Sequence, residues 1–378
     1  MSTRVENVNR DIIEWAIIRN GNSPEEFYLK NPVVESWING EKLPTIKQLE
    51  SFTHKVHVPF GYMFLPSPPE ENIPIPFFRT GKRGGDNKVS LNVYHTIQII
   101  QNRQEWLTEY LEDIEFPDLD FVGRFSKDND YNDIVDDIRV VLDLKPNWAE
   151  DLRNWNDALG LLTSKIEDAG IIVTFNGVVG NNTRRVIDVN ECRGFVLVNK
   201  KAPFMFINAA DAKAAQIFTL IHELAHIWLG ESAGFDSQNL LPADDIVEKL
   251  CDRVAAEFLV PQQEFKEKWN HTRDFKILGR IFKVSPVVIA RRALDMEFID
   301  FPYFLSFYNR YMDGFKNRKE QQASGGDFYA NTRKRVSVRF ASFVNSAVKE
   351  NRLLYRDAYK LTNLSGDTYE RFVTNYLY

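Results

Sequence analysis

Apolar residues return every three or four positions over several stretches of the chain, the spacing that gives a helix one buried face. Asp11–Ile18 has this period. Ser23-Pro24-Glu25-Glu26 reads as a helix start, with a capping Ser, Pro in the first turn, and acids near the positive end of the helix dipole. Val33–Ile38 predicts a short helix that stops at Asn39-Gly40, and Pro44-Thr45 opens another through Leu49 and Phe52. The Pro-rich run Pro66–Pro76 excludes helix and central strand and predicts an extended connector. Gly81–Gly85 follows as a basic loop. Leu91–Ile114 has strong helical periodicity. After a polar break at Asp128–Asp133, Ile134–Leu144 and Trp155–Gly170 predict two more helices.

The period then changes. Ile171–Phe175, Gly194–Asn199 and Phe204–Ile207 are short apolar runs between turn residues and predict strands. Ala209–Leu229 predicts a long helix, Ala243–Leu259 a second one ended by Pro261, and Gln262–Leu294 a helical pair. A Gly-rich break at Ser324-Gly325-Gly326 precedes a basic helical C-terminus. The expected fold is α+β, mainly helical with one small sheet. Four segments are expected: residues 1–70, 71–145, 146–300 and 301–378.

Composition narrows the function class. No run approaches the roughly 20 apolar residues that span a bilayer, and the N-terminus has no apolar signal core, so no membrane role is expected. Cys192 and Cys251 are too few for a disulfide framework, which points to a reducing cytoplasm. The net charge of −6 is uneven: Phe301–Tyr378 carries +6 and the remainder −12. A basic tail on an acidic body suggests a distinct module or an anionic partner.

The candidate chemistry lies at His222-Glu223-Leu224-Ala225-His226. On a helix, positions i and i+4 share a face, so both imidazoles can reach one ion. Glu223 follows the first His directly and can reach water at that ion, the HExxH arrangement of zinc hydrolases. Catalytic Zn2+ needs a third protein ligand and an open position. Glu248, 22 residues beyond His226 on the next helix, is the expected third ligand. Asp252, one turn on, is placed to accept the other ring N–H of a ligating His. Glu231, Asp244 and Asp245 fall in or near the intervening loop and are less well placed. Cys251 points about 60° away from Glu248 and reads as a small buried hydrophobe, as does Cys192. His271 is a weaker candidate for substrate or oxyanion contact.

These residues resemble the ImmA/IrrE metallopeptidases. The likeness runs from Phe218 through the His222–His226 motif, and on through Glu248-Lys-Leu-Cys251-Asp252 and Ala255-Ala256 to Val260-Pro261. It ends in the segment Phe282–Leu294. The family typically shows Ala-Asn where Cys251-Asp252 stands here, which moves this chain toward the Glu-x-x-x-Asp of thermolysin-like enzymes. The resemblance implies a zincin-like core, His222, His226 and Glu248 as zinc ligands, Glu223 as catalytic base, and a cytoplasmic setting. It also implies a regulatory endopeptidase whose substrate is a specific protein, a helix-turn-helix repressor in family members.

Val34–Leu49, with Trp37, Gly40 and Pro44, resembles the recognition-helix end of Cro/repressor-type helix-turn-helix domains. Its charge fits DNA poorly. Residues 1–80 carry 8 Lys and Arg against 10 Asp and Glu, and the candidate reading helix offers Glu35 and no cation. Protein docking is therefore expected ahead of DNA binding. The competing class is a non-proteolytic or latent zinc-binding transcriptional regulator, or an antitoxin-like partner protein.

Overall fold

The computed structural model describes residues 3–71, 89–235, 245–319 and 328–377. The Gly81–Gly85 loop, the end of the Pro-rich run, Asp244 and the Ser324–Gly326 break lie outside the described residues. The chain forms two compact units, residues 1–74 with 88–94, and residues 75–87 with 95–378.

The first unit is helical: α1 (Arg10–Arg19), α2 (Pro24–Lys30), α3 (Pro32–Ile38), α4 (Ile46–Val56) and a single 3-10 turn over Phe60–Phe64. Asn9 caps α1 by accepting from the Asp11 N–H. Thr45 and Gln48 form a reciprocal capping box that starts α4. Trp37 is buried, and its ring and that of Phe27 meet Phe52 edge-on. Gly40 takes a left-handed φ of 76°, which ends α3. The joint between α2 and α3 is one residue, Asn31. The exposed face of α3 presents Val33 and Glu35.

The second unit holds the sheet. α5 (Leu91–Asp113), which belongs to this unit from His95 onward, α6 (Tyr131–Leu142) and α7 (Trp155–Asp168) precede it. β1 (Ile172–Asn176), β4 (Gly194–Leu197), β5 (Phe204–Asn208) and β6 (Ala233–Phe235) form one sheet in the order β1-β5-β4-β6. β1 runs parallel to β5, and β4 is antiparallel to both β5 and β6. A separate hairpin, β2 (Val178–Val179) and β3 (Asn182–Val186), follows β1. Helix α8 (Lys213–Leu229) packs on β4 and β5, and α9 (Ile246–Leu259) packs on α8.

Both sheet faces are covered, which is why the strands read as unbroken apolar runs rather than alternating ones. Val173, Phe175, Val196, Met205 and Ile207 join the core shared with α8. On the opposite face Phe204 meets Phe340 edge-on, with ring centroids 5.5 Å apart. Phe340 belongs to α15 (Val338–Lys349), within the basic C-terminal segment. That segment comprises α13 (Phe301–Lys319), α14 (Phe328–Val336), α15, α16 (Tyr355–Thr362) and α17 (Asp367–Tyr376), all in the second unit. Arg103 of α5 ties it down. Its buried guanidinium donates from Nε to the Leu361 carbonyl and from Nη1 to the Arg335 carbonyl, near the negative ends of α16 and α14. Burial pushes this arginine down to about 10. Residues 262–295 form three helices rather than the expected pair: α10 (Gln262–His271), α11 (Phe275–Phe282) and α12 (Pro286–Asp295). Asp274 caps α11, and this short polar start is what divides the run. No described helix is long and apolar enough to cross a membrane.

Candidate metal centre

Helix α8 is apolar on nearly every side, and every residue from Gln216 to Leu229 is buried. Such a helix needs its termini satisfied by the rest of the fold. Gln216 donates from Nε2 to the carbonyls of Ala209 and Asp211 at the entry. At the exit, Gly230 adopts φ 74° and ends the helix. A loop then crosses close by: Gly123 and Phe125 donate their N–H groups to the Ile227 and Trp228 carbonyls. A side chain at Gly230 would come within 3.0 Å of the Gly123 Cα, so the crossing favours glycine at position 230. Phe121 stacks on Trp228 at 4.5 Å. The helix that carries His222, Glu223 and His226 is therefore fixed along its whole length.

Helix α9 starts at Asp245, whose carboxylate accepts from the N–H groups of Val247 and Glu248. This loop acid is thus the cap that positions Glu248. Glu231 is exposed just past α8. His271 is exposed at the end of α10 and is not part of the cluster below. Both cysteines are buried and neither forms a disulfide, and burial pushes the Cys251 thiol well up.

The structure brings His222, His226 and Glu248 together, with their donor atoms all within 4.8 Å of one another and all buried. His222 Nε2 lies 3.1 Å from Glu248 Oε2, His226 Nε2 lies 3.2 Å from Glu248 Oε1, and the two Nε2 atoms are 3.3 Å apart. Tetrahedral ligands at zinc distances stand about 3.3–3.4 Å from one another, so these separations fit three vertices of such a set. On the outer side, His222 Nδ1 lies 3.0 Å from Asp252 Oδ1. If Nδ1 carries the proton that Asp252 accepts, Nε2 of neutral His222 turns a lone pair toward a carboxylate and another imidazole. Acceptors facing acceptors in a buried site are unfavourable unless a cation lies among them.

Titration of the cluster follows from its burial and from the hydrogen bonds within it. Burial opposes charge on His222, but hydrogen bonds to Asp252 and Glu248 outweigh it and push the imidazole up to about 10. His226 is driven down by burial. Glu248 resists its own burial and is held well below the usual carboxylate range by the two histidines. Glu223 is pushed far up by burial, and neither carboxylate oxygen has a hydrogen-bond partner. The three clustered side chains could hold a metal ion, and their donor set of two imidazoles and one carboxylate suits it.

Residues 166–294 match the IrrE N-terminal-like domain of the peptidase M78 family. The matched span contains β1 to β6, α8 with the two histidines, α9 with Glu248, and α12. Residues 336–375, which include α15 and α16 and most of α17, match a domain of unknown function (DUF8813). No curated protein matches the chain.

Gly194 is a feature of the site that its sequence position does not reveal. It opens β4 at the point where the strand passes α8. A Cβ there would lie 2.6 Å from Thr219 Cγ2, 2.9 Å from the Phe206 carbonyl oxygen and 3.3 Å from Glu223 Oε1. Thr219 and Glu223, one turn apart, thus face β4, while His222 and His226 face α9. A lone Gly at the start of an apolar run reads as turn punctuation, and the close approach becomes visible only when the helix is laid across the strand.

Proposed function

We propose that this protein is a zinc-dependent endopeptidase in which His222, His226 and Glu248 hold the ion and Glu223 is the catalytic base. The observation that carries the reading is the set of three buried donor pairs at 3.1, 3.2 and 3.3 Å, the spacing a tetrahedral ion imposes on its ligands. The match of residues 166–294 to a peptidase domain supports the reaction class. The resemblance to ImmA/IrrE metallopeptidases supports a regulatory role and a specific protein substrate, a helix-turn-helix repressor.

When bound, zinc supplies Lewis acidity that lowers the pKa of water and polarises a carbonyl oxygen. The chain's own residues do the rest. The two imidazoles and Glu248 would hold the ion through Nε2, Nε2 and the carboxylate. Asp252 fixes the ring and tautomer of His222 by accepting from Nδ1–H. Glu223 takes the proton of the attacking water on a carboxylate oxygen and delivers it to the leaving amine nitrogen. Packing against Gly194 and burial of α8 keep bulk water from that carboxylate.

The full chain, purified without added chelator, is expected to contain about one equivalent of zinc by elemental analysis. Glu248→Ala should lose it while keeping helical circular dichroism. Zinc at wild-type level in that variant would sink the ligand assignment. Asp252→Ala is expected to keep the ion but weaken its affinity about 10- to 100-fold, read by competition with a chromophoric chelator. Unchanged affinity would remove Asp252 from its orienting role.

A further inference from the structure

A 530 Å3 cavity adjoins the metal centre on the Asp252 side, within the range of small-ligand and side-chain pockets. One wall is a single face of α9, with Lys249, Asp252, Arg253 and Ala256 at helical spacing. The facing wall is α12, which contributes Val288, Arg291, Arg292 and Asp295 in the same pattern. Phe218 also lines it, one turn before His222, with its ring centroid 6.4 Å from the imidazole. The cavity is therefore one side chain away from the ligand set.

Its charge is unbalanced, with four cations against two acids on its walls. The fold already uses several of these groups. Arg292 forms a buried ion pair with Glu257, Arg291 pairs with Asp295 at 2.9 Å, and Asp252 is turned to His222. Arg253 is exposed and has no partner among the described residues. A cation in a cavity that Phe218, Val288 and Ala256 also line is complementary to a carboxylate on an otherwise apolar segment.

From this we infer that the cavity is a specificity subsite that takes an acidic side chain, flanked by aliphatic residues, from the polypeptide substrate, with Arg253 as the selecting cation. Assigning the occupant to a substrate rests on the peptidase reading, whereas the charge selection stands without it.

The test uses the full chain carrying Glu223→Gln and fluorescein-labelled dodecapeptides of alternating Leu with Glu, Gln or Lys, followed by anisotropy at low salt. The Glu peptide is expected to bind about tenfold or more tighter than the Gln peptide, as for a charge-assisted contact. Arg253→Lys should keep that preference. Arg253→Glu should abolish it and favour the Lys peptide, with an unchanged melting curve. Equal binding of the Glu and Gln peptides, or an unaltered preference in Arg253→Glu, would overturn the inference. Displacement of the Glu peptide by sub-millimolar sodium glutarate would overturn the peptide assignment in favour of a free dicarboxylate. Charge-selective binding with no cleavage by wild-type protein would uphold the subsite and count against the peptidase reading instead.

Discussion

Glu223→Gln is expected to lower the rate of peptide cleavage by about 100- to 10,000-fold, the usual worth of a positioned general base. The amide has the same shape as the carboxylate but cannot accept the proton. Glu223 is fully buried, and its two oxygens have no hydrogen-bond partner. The substitution therefore breaks no structural bond, and it replaces a buried ionisable group with a neutral one. The melting temperature should stay level or rise, and the zinc content should match wild type because Glu223 is not among the clustered donors. Loss of turnover with metal and fold intact separates the base from its neighbours. The same variant should retain its protein substrate uncut, so that co-purification with mass spectrometry identifies it. A variant that cleaves at the wild-type rate would refute the assigned base. If wild-type and variant protein act alike in cells while neither cuts a partner, the protein works by binding.

How legible all this is in the sequence depends on how local each determinant is. The spacing of His222 and His226 is a property of one helix, and that of Glu248 and Asp252 a property of another, so both pairs can be read from the chain. Their meeting depends on α9 returning across α8, and the loop length permits it without dictating it. The strands β1, β4 and β5 announce themselves because burial on both faces selects continuous apolar residues. The hairpin β2–β3 does not, because Asn182–Arg184 are exposed and carry no alternation. β6 has three residues, too few for a pattern, and is a strand only because β4 offers it an edge. The N-terminal unit is a different case. Trp37, Gly40 and Pro44 resemble a helix-turn-helix, yet their roles in the core and in ending a helix are common to many helical units. The cavity between α9 and α12 was hidden for a similar reason: each helix shows an ordinary charged face until the two are opposed.

Gly194→Ala is expected to destabilise the second unit and to damage the site together. Replacing Gly in a strand normally gains about 0.5–1 kcal/mol from reduced backbone freedom. Here the added methyl would stand 2.6 Å from Thr219 Cγ2 and 2.9 Å from the Phe206 carbonyl oxygen. Neither neighbour can yield easily. Thr219 is buried, with a short branched side chain held on α8, and the Phe206 oxygen is main chain of the adjacent strand. Overpacking of this kind costs about 1–3 kcal/mol and sometimes more, so the net change should be destabilising, and Gly194→Val should be worse. The strain falls on α8 beside Glu223, whose Oε1 would lie 3.3 Å from the new carbon. Cleavage should therefore fall even at temperatures where the protein remains folded, with zinc retained because His222 and His226 face away toward α9. Thr219→Ser in the same chain removes the nearer clash but leaves the carbonyl contact. It should recover part of the lost melting temperature and part of the activity. Thermal unfolding followed by circular dichroism, with elemental analysis of the same samples, checks both effects. A Gly194→Ala protein as stable and as active as wild type would mean that β4 does not pass α8 as closely as the structure places it.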